Sequence, residues 1–436
     1  MRGTHGWSLR QCAEIIAANA QVNMAANANK VWRWEHWEVT PDLDTQFALA
    51  RALDIPIADV KRCPWPLWLP SEQLAGVSQP WTQEGAVEAV IEVSSKAPVD
   101  RRGFTVLTGT GLTASTLPWL QNPGPFIAAL NGRQVTMSMI ETIEQRIHTA
   151  RCMDSEIGGA WLIDPVMADL QLMAGLLRNA SYSEDLGQRL FRVTAELTEL
   201  AAWSFLDAGR HAAAQQCYLA ALRSAHTAGD RALGAYILTW MSYQTAWMGN
   251  PQDTVQLIQT AEASDQTAVP PAVAGIIAMH AARAHAKAGD NKAHSAALTR
   301  AFTSLDRAKP GTEPGWAYWI DESHFSCEMG FCFLEARRFP EAADHLSRGL
   351  DLFDEDKSFA RDRAFYLSQL AVAHVRQREV EQACVVGKQT LDLVTELNSP
   401  RVTGHLYDLQ RELHRYQEVP VVRGFTEQIQ SQLVAT

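Results

Sequence analysis

The stretch that decides the fold is Gly209-Arg-His-Ala-Ala-Ala214, because its spacing from the glycine onward recurs along the chain. Copies begin 40 residues apart, at Gly209, Gly249 and Gly289. In each copy the fifth residue after the glycine is followed by a bulky residue four positions later and by an alanine three positions after that. These residues are Ala214, Tyr218 and Ala221, then Thr254, Ile258 and Ala261, then His294, Leu298 and Ala301. A fixed period of this length is typical of stacked helical hairpins.

Two further copies carry arginine where the first three carry the turn glycine. The fourth starts at Arg337, after an insertion, and the fifth starts at Arg378. A small residue stands seven positions before each of the five starting points, and these residues are Ala202, Ser242, Ala282, Gly330 and Ala371. Two antiparallel helices need small residues where they approach each other most closely. The sequence therefore predicts an all-α array of five helical hairpins.

This pattern resembles the tetratricopeptide repeat, a helix-turn-helix unit with a small residue in its first helix, a turn glycine, and an alanine and an aromatic residue in its second. The resemblance covers roughly residues 164–436 and implies a right-handed α-solenoid. The period is longer than in that family, and other residues occupy the place of its consensus tryptophan, namely Thr198, Leu238, Ala278, Ser326 and Leu367. The alternative is a generic alanine-rich helical bundle.

The composition favours a soluble, cytoplasmic protein with no membrane association. Of the 436 residues, 47% are hydrophobic and 20% are charged, which is ordinary usage for a globular protein. No apolar run approaches the roughly 18 residues needed to span a bilayer. The seven cysteines are scattered, without a CxxC pair, and we expect them to be small buried hydrophobic residues.

Charge is distributed unevenly between the N-terminal segment and the rest of the chain. Residues 1–70 hold seven basic and seven acidic side chains, whereas the remaining 366 residues hold 31 basic and 42 acidic ones and carry the whole net charge of −11. An acidic surface repels the phosphates of nucleic acid. If the protein binds DNA, the N-terminal segment is the part that does so.

Three stretches of that segment have the spacing of a small helical domain. The first, 6–15, reads as a helix capped by Ser8. The second, 27–35, places Val31 and Trp34 on a core face, and the third, 41–53, is a closing helix. Together they resemble the Xre/Cro family of helix-turn-helix domains, with the second stretch as the recognition helix. The resemblance assigns residues 1–63 to this domain and implies that they bind double-stranded DNA.

The resemblance also implies which side chains contact DNA. Arg10 and Gln11, in the first turn of their helix, would reach phosphates with help from the helix N-terminus. On the recognition helix, Asn29 would pair with adenine, and Lys30 and Arg33 would contact guanine or phosphate.

Some of these residues have a second interpretation. Asn27 is also included among the predicted DNA-binding residues, but it stands where the family has a capping serine, so a capping role is favoured over base contact. Lys30 and Arg33 are equally compatible with an ordinary solvated helix face.

The segment departs from the family in three ways. The family has a helix before the position of Gly6, where this sequence has five residues, and Trp37 replaces the glycine that usually ends the recognition helix. The link between Ala13 and Trp34 is also longer than usual. Either the true start lies upstream, or the domain lacks its first helix.

Residues 64–163 are expected to form a linker and connecting helices. Pro64-Trp-Pro66 marks an extended boundary, because the residue before a proline is pushed out of the helical region. The segment from Met137 to Asp154 has apolar residues at helical spacing and is predicted to be a helix that docks on the array.

The sequence gives no reason to expect an enzyme. His280, His285 and His294 cluster with Asp290, but their spacing lacks the HExxH arrangement, and we interpret them as core or surface histidines. We expect no catalytic residues, no metal site and no cofactor.

The first helices of tetratricopeptide repeats form a concave face that binds ligands, and counting back from the turn positions places residues of this chain on that face. The predicted effector-binding residues are Glu199, Trp203, Tyr236, Thr239, Tyr243, Trp247, Met279, Arg283 and Phe331. Cys327 and Trp240 accompany them. An aromatic groove of this kind suits an extended peptide or an amphipathic small molecule. The same spacing also describes an ordinary core stripe between repeats.

A helix-turn-helix joined to such an array is similar to the RRNPP regulators, in which a peptide held by the repeats alters DNA binding by a dimer. The resemblance implies a dimeric, cytoplasmic transcriptional regulator whose array senses a peptide, small-molecule or protein signal. The alternative is an interaction scaffold whose N-terminal domain no longer binds DNA.

Overall fold

A computed structural model describes residues 7–20, 26–36, 40–53, 57, 60, 79, 81–95, 135, 137–248, 251–264, 269–309, 311–353 and 359–433. Over these residues the fold is all-α, as the repeat pattern predicts. The helices pack in adjacent pairs and form a solenoid-like array.

In the described part of the chain, six helices come before the hairpins of the array, and the second three of them pack at its first hairpin. The first three are α1 (Leu9–Ala18), α2 (Ala28–His36) and α3 (Leu43–Ala52). The next three are α4 (Gln83–Ser95), α5 (Met137–Ile157) and α6 (Ile163–Asn179).

The array itself consists of hairpins of two helices each. They are α7 (Glu184–Asp207) with α8 (His211–Thr227), α9 (Arg231–Met248) with α10 (Pro251–Glu262), α11 (Pro271–Lys287) with α12 (Asn291–Leu305), α13 (Glu322–Glu335) with α14 (Phe339–Leu352), and α15 (Ala360–Arg376) with α16 (Val380–Val394). These five pairs coincide with the five copies predicted from the sequence. Two more helices, α17 (Pro400–Leu413) and α18 (Pro420–Leu433), pack on the last pair.

The turns inside the hairpins share one backbone conformation. Gly209 and Gly289 have φ values of 72° and 77°, and Arg337 and Arg378 adopt the same left-handed region at 59° and 68°. In each turn the residue after this position donates its backbone N–H to the carbonyl five residues earlier, and the N···O distance is 2.9 Å or less. Arg210, for example, donates to the carbonyl of Phe205 at 2.8 Å. This is the hydrogen-bond pattern of a Schellman helix end. The arginines therefore occupy the turn position in a conformation that favours glycine, while Gly249 lies outside the described residues.

The small residues predicted at the helix crossings lie there. A methyl group added to Gly330 would come within 2.8 Å of the Leu346 backbone nitrogen on α14. Ser242 donates a hydrogen bond to the Thr254 carbonyl at 3.0 Å, which joins α9 to α10. Close backbone approach is therefore what the small residues permit.

The two ends of the array meet. Helix α5 packs against both α7 and α15, as the predicted docking helix should, and α17 also contacts α7. The backbone N–H of Asn398 donates to the carbonyl of Ile157 at 2.9 Å. The concave side of the array is consequently closed by α5 and α17 and is not an open groove.

The N-terminal helices form a unit with a hydrophobic cluster of its own. Helix α1 packs against α2 and α3, and the cluster is built from Cys12, Ile16, Val31 and Leu49 with Trp34 packed beside it. Val31 and Trp34 thus face the core of this unit, as the sequence predicts.

One helical stretch, Gly159–Arg178, is long and apolar enough to meet the length and composition test for a membrane span, with a mean hydropathy of 1.3. The expectation that no such run exists was therefore wrong by this test. The stretch packs against α4 and α7, and its Asp169 forms an ion pair with Arg146. Its apolar residues, among them Leu170 and Met173, belong to the core of the array.

The cysteines that the structure describes are free thiols. Five are buried, as expected, and Cys152 is half-buried. The buried ones are Cys12, Cys217, Cys327, Cys332 and Cys384.

Replacing Arg337 with glycine should stabilise the protein by about 1 kcal/mol, because a left-handed conformation strains any residue that carries a Cβ atom. The free energy of unfolding, measured by urea denaturation, tests this. Arg337→Ala is the matched control, since it removes the same charge and keeps the Cβ. An equal gain in both variants would show that charge, and not backbone strain, is responsible.

Gly330→Ala should destabilise the protein by about 1–3 kcal/mol, because its methyl group must push α13 and α14 apart. Gly404→Ala serves as the control, because Gly404 lies within α17 and no atom stands within 4 Å of the added methyl group. Thermal unfolding should show a lower midpoint for the first variant and an unchanged or slightly higher one for the second. Equal midpoints would contradict the close helix approach.

Candidate functional site

A cavity lies at the centre of the closed array. The space between its lining side chains measures about 680 Å³, part of which opens to solvent. Aromatic and charged residues dominate its wall, which consists of Arg151, Asp154, Ser155, Glu199, Leu200, Trp203, Tyr236, Trp240, Tyr243, Trp316, Tyr318, Trp319, His324, Glu328, Arg361, Asp362, Phe365, Tyr366 and Arg401. Walls that combine aromatic rings with a few convergent polar groups are typical of small-molecule sites.

Four kinds of element supply the wall, and one of them is α17, which adds Arg401. The first helices of the hairpins provide most of it, and the docking helix α5 adds Arg151, Asp154 and Ser155. The insertion between the third and fourth hairpins adds Trp316, Tyr318 and Trp319 around a short 3-10 helix, Gly315–Ala317. The insertion therefore fills part of the concave side with aromatic rings.

Four of the predicted effector residues line this cavity, namely Glu199, Trp203, Tyr236 and Tyr243. The rings of Trp203 and Trp240 have their centroids 4.7 Å apart, and Tyr236 lies edge-on to Trp240 at 5.7 Å. The aromatic side chains thus form one continuous surface.

Thr239 and Met279 were predicted on this surface and do not lie there. Thr239 is buried, and its hydroxyl donates to the carbonyl of Ala235 in its own helix at 2.8 Å. Met279 is buried among the helices of the core. The cavity face of α9 runs through Tyr236, Trp240 and Tyr243, so its middle position is one residue later than predicted. Both spacings satisfy helical periodicity, which is why the sequence did not separate them.

The other three predicted effector residues lie behind Tyr243. The guanidinium of Arg283 stacks over the Phe331 ring at 3.7 Å and over the Tyr243 ring at 5.0 Å. Trp247 lies 4.8 Å from the His405 ring and is partly exposed at the end of α9. Arg283 reaches the cavity only indirectly, through Glu328, whose carboxylate it contacts at 3.4 Å.

Two buried carboxylates join the beginning of the array to its end. Asp154 on α5 accepts hydrogen bonds from Arg361 on α15 and, at 3.0 Å, from the indole N–H of Trp203. Arg361 also contacts Asp362 at 2.9 Å. Burial raises the pKa of Asp154 to about 6, although the charge of Arg361 opposes this rise.

Asp207, at the end of α7, is the second such carboxylate. It accepts hydrogen bonds from Arg401 at 3.0 Å, from the Ser399 hydroxyl at 2.8 Å and from the backbone N–H of Gly159 at 3.0 Å. Arg401 further donates to the Tyr243 hydroxyl at 3.2 Å. Three separate segments of the chain therefore meet at one buried carboxylate.

Glu199 is different, because no residue in the described part of the chain donates a hydrogen bond to it. Its side chain is only 7% exposed, and its closest basic group is the Nη2 atom of Arg151 at 3.8 Å, beyond hydrogen-bond distance. Arg151 directs its Nη1 atom to Glu196 at 2.9 Å, and its Nη2 atom has no hydrogen-bond partner among the described residues. Burial raises the pKa of Glu199 to about 7, and the charge of Arg151 opposes this rise.

His324 contributes a positive charge to the wall. Burial disfavours its protonated form, but contacts to Asp321 at 2.9 Å and Asp362 at 3.7 Å outweigh that effect and raise its pKa to about 9. His324 is therefore protonated at neutral pH. The cavity thus offers carboxylates, cations and aromatic rings, which suits recognition by charge and stacking.

Sequence reasoning missed the wall residues that the repeats do not supply at regular positions. Tyr318 hydrogen-bonds to Ser155 at 2.9 Å, and the indole N–H of Trp319 donates to the Tyr236 hydroxyl at 2.9 Å. The density of aromatic residues in the insertion was the available signal. Arg361 and Arg401 had no such signal, since their partners lie about 200 residues away in sequence.

The predicted DNA-binding residues lie on the surface of the N-terminal unit where the structure describes them. Asn27 caps α2 by accepting the Asn29 N–H at 2.9 Å, and Asn29 and Lys30 are exposed. Gln11 completes a capping box with Ser8. The side chain of Arg33 lies outside the described structure.

Arg10 is exposed on the first turn of α1 and forms an ion pair with Glu14 at 2.9 Å. An ion pair this exposed contributes little to the free energy of folding. Arg10 can therefore leave the Glu14 carboxylate and bind another anion, such as a phosphate, at small cost.

The chain has no significant match among protein-family models, curated proteins or solved structures. Its function is therefore argued from the cavity and from the N-terminal unit alone.

Glu199→Gln should stabilise the protein at alkaline pH and leave it almost unchanged near pH 5. The folded state retains the Glu199 proton up to about pH 7, whereas an unfolded chain releases it near pH 4.5, the ordinary pKa of a glutamate side chain. Raising the pH between these values therefore favours unfolding of the native protein, by about 3 kcal/mol in total. Urea denaturation of both proteins from pH 5 to pH 8 measures the difference.

Glu322→Gln is the control, because Glu322 is a surface carboxylate that is 69% exposed. Its effect on stability should be small and independent of pH over this range. A pH-independent difference for Glu199→Gln would show that Glu199 is ionised throughout.

Proposed function

We propose that this protein is a cytoplasmic transcriptional regulator that binds DNA through residues 1–63 and senses a ligand through its helical array. The observation that carries the proposal is the central cavity, whose polar wall contains the same residues that hold the ends of the array together. Asp154, Arg361 and Arg401 belong to both. A ligand that contacts them can stabilise or weaken the closure, which is how binding at one site is coupled to another.

Two features of the N-terminal unit support DNA binding. The first turns of α1 and α2 contain no acidic residues, so both helix N-termini are compatible with phosphate. Helix α2 exposes an amide at Asn29 and an ammonium group at Lys30, which are side chains used for base and phosphate contacts. The acidic charge of the array leaves this unit as the favoured contact surface.

A regulator of this kind is expected to act as a homodimer. One small unit contacts few phosphates, whereas two related units bind two half-sites and add their contacts. The competing function is a scaffold that bridges proteins and does not bind DNA. It is favoured by the exposed ring of Trp247, which is 37% exposed beside Lys287 at the end of α9.

An electrophoretic mobility shift assay with the DNA upstream of the protein's own gene tests the proposal. We expect a specific complex that weakens as salt concentration rises. Lys30→Ala should reduce affinity for all sequences and lower the salt slope by about one, whereas Asn29→Ala should reduce discrimination between sequences by about 1–3 kcal/mol.

The control is Lys292→Ala, which removes an exposed lysine from α12 of the array. It should leave DNA binding unchanged. Absence of a salt-sensitive specific complex, with the native protein folded, would exclude the regulator and favour the scaffold.

A further inference from the structure

We propose that the cavity binds a small organic cation, whose ammonium group pairs with Glu199 and lies against the surrounding aromatic rings. This inference deepens the proposed sensing role by naming the chemical class of the ligand. It rests on Glu199, on the rings near it and on the pairing of charges in the wall.

Glu199 is a buried carboxylate to which no described residue of the protein donates a hydrogen bond. The other carboxylates of the wall have donors. Asp154 has Trp203 and Arg361, and Glu328 accepts from the Tyr366 hydroxyl at 2.9 Å. A buried carboxylate without a donor is costly, and a ligand that supplies a positive charge together with an N–H or O–H donor lowers that cost. Glu199 is therefore the position at which the cavity favours a cation.

Several aromatic rings of the wall are suited to hold that cation. Arginines of the protein already stack on Trp203, Tyr243 and Phe365. The rings of Trp240 and Trp319 lie 5.8 Å apart, with Tyr236 next to Trp240, and no cation–π contact to these three is found within the described structure. Indole and phenol faces attract ammonium groups.

The pairing of charges in the cavity also favours a cation. The lining holds four basic groups, Arg151, His324, Arg361 and Arg401, and four acidic groups, Asp154, Glu199, Glu328 and Asp362. Each basic group already has a carboxylate within 3.0 Å, whereas the basic group nearest to Glu199 stands 3.8 Å away. A positively charged ligand can supply the closer partner that Glu199 lacks among the described residues, whereas an anion would meet basic groups that are already paired.

The enclosure of the cavity favours a small molecule over an extended peptide. An extended peptide would need an open groove along the concave side of the array. Helix α5 and the insertion around Gly315–Ala317 occupy that side. The Nη2 atom of Arg151 stands 3.8 Å from Glu199, so a hydroxyl on the same ligand can bridge the two groups. An amino alcohol or a methylated ammonium compound has the required chemistry.

Choline is the probe for this proposal, and its uncharged isostere, with a tert-butyl group in place of trimethylammonium, is the matched comparison. Titration calorimetry of the full chain at pH 8, where Glu199 is ionised, should show choline binding at least about tenfold more tightly than the isostere. Quenching of tryptophan fluorescence provides a second readout. Butylamine, butanol and butyrate form a parallel series that extends the test to primary amines and to anions.

Glu199→Gln should abolish the preference for choline over its isostere, and Glu322→Gln should retain it. Choline affinity should also fall as the pH is lowered from 8 to 5, because protonation of Glu199 removes the charge that attracts the ligand. Binding of butyrate in preference to both choline and butylamine, or no binding of any cation, would overturn the proposal. Equal binding of charged and uncharged partners would overturn it as well. The comparison of probes on the native protein does not depend on whether a variant folds.

Mobility shift assays with and without choline separate this inference from the proposed regulatory function. A specific DNA complex without cation binding would remove the inference and leave the regulator. Cation binding without any DNA complex would leave the inference and remove the regulator.

Discussion

The structure depends on the burial of two carboxylates that hold distant parts of the chain together. Asp154 contacts Arg361 across 207 residues of sequence, and Asp207 contacts Arg401 across 194. Neighbouring repeats would stack without these pairs, because each hairpin buries its apolar face on the next. The pairs join the two ends of the array, together with the packing of α5 on α15 and of α17 on α7. Desolvation makes them expensive to form, and removal of one partner would leave the other charge buried and uncompensated. Both oxygen atoms of Asp207 accept hydrogen bonds, whereas Asp154 accepts both of its hydrogen bonds at Oδ2, and its Oδ1 atom has no partner among the described residues.

The closure explains the character of the cavity. An open array would present its concave face to water, where carboxylates and guanidinium groups interact weakly. Once α5 and α17 cover that face, the same groups lie in a medium of low dielectric constant, and burial dominates their protonation. The tight approach of Gly158 to the Asn398 carbonyl, where an added methyl group would come within 2.6 Å, shows how closely the two ends fit. The chemistry of the site is thus a product of the fold and not of any single repeat.

The sequence predicts local features of this molecule well. The turn positions are correct even where arginine replaces glycine, because the small residues seven positions earlier fix the register at Arg337 and Arg378. The cap at Asn27 follows from local chemistry in the same way. The cavity face was placed one residue too early at Thr239, since two neighbouring faces of a helix have the same periodicity. The partners of Arg361 and Arg401 were missed because an isolated long-range ion pair leaves no periodic trace in a sequence. The assignment of DNA binding stays a prediction.

The meeting of the two ends has a consequence for how the protein folds and turns over. Open repeat arrays fray from their termini, and each repeat contributes almost independently to stability. Here the last helices contact the first, so the ends are not free to fray separately. The closing contacts also have a large sequence separation, and they form only after the C-terminal repeats have been synthesised. A chain shortened before α17 would keep all five hairpins but lose the contacts of α17 with α7, and its exposed interior would be open to proteases. Closure therefore makes the array a cooperative unit, and the stability of the whole unit depends on the helix near its C-terminus that completes it.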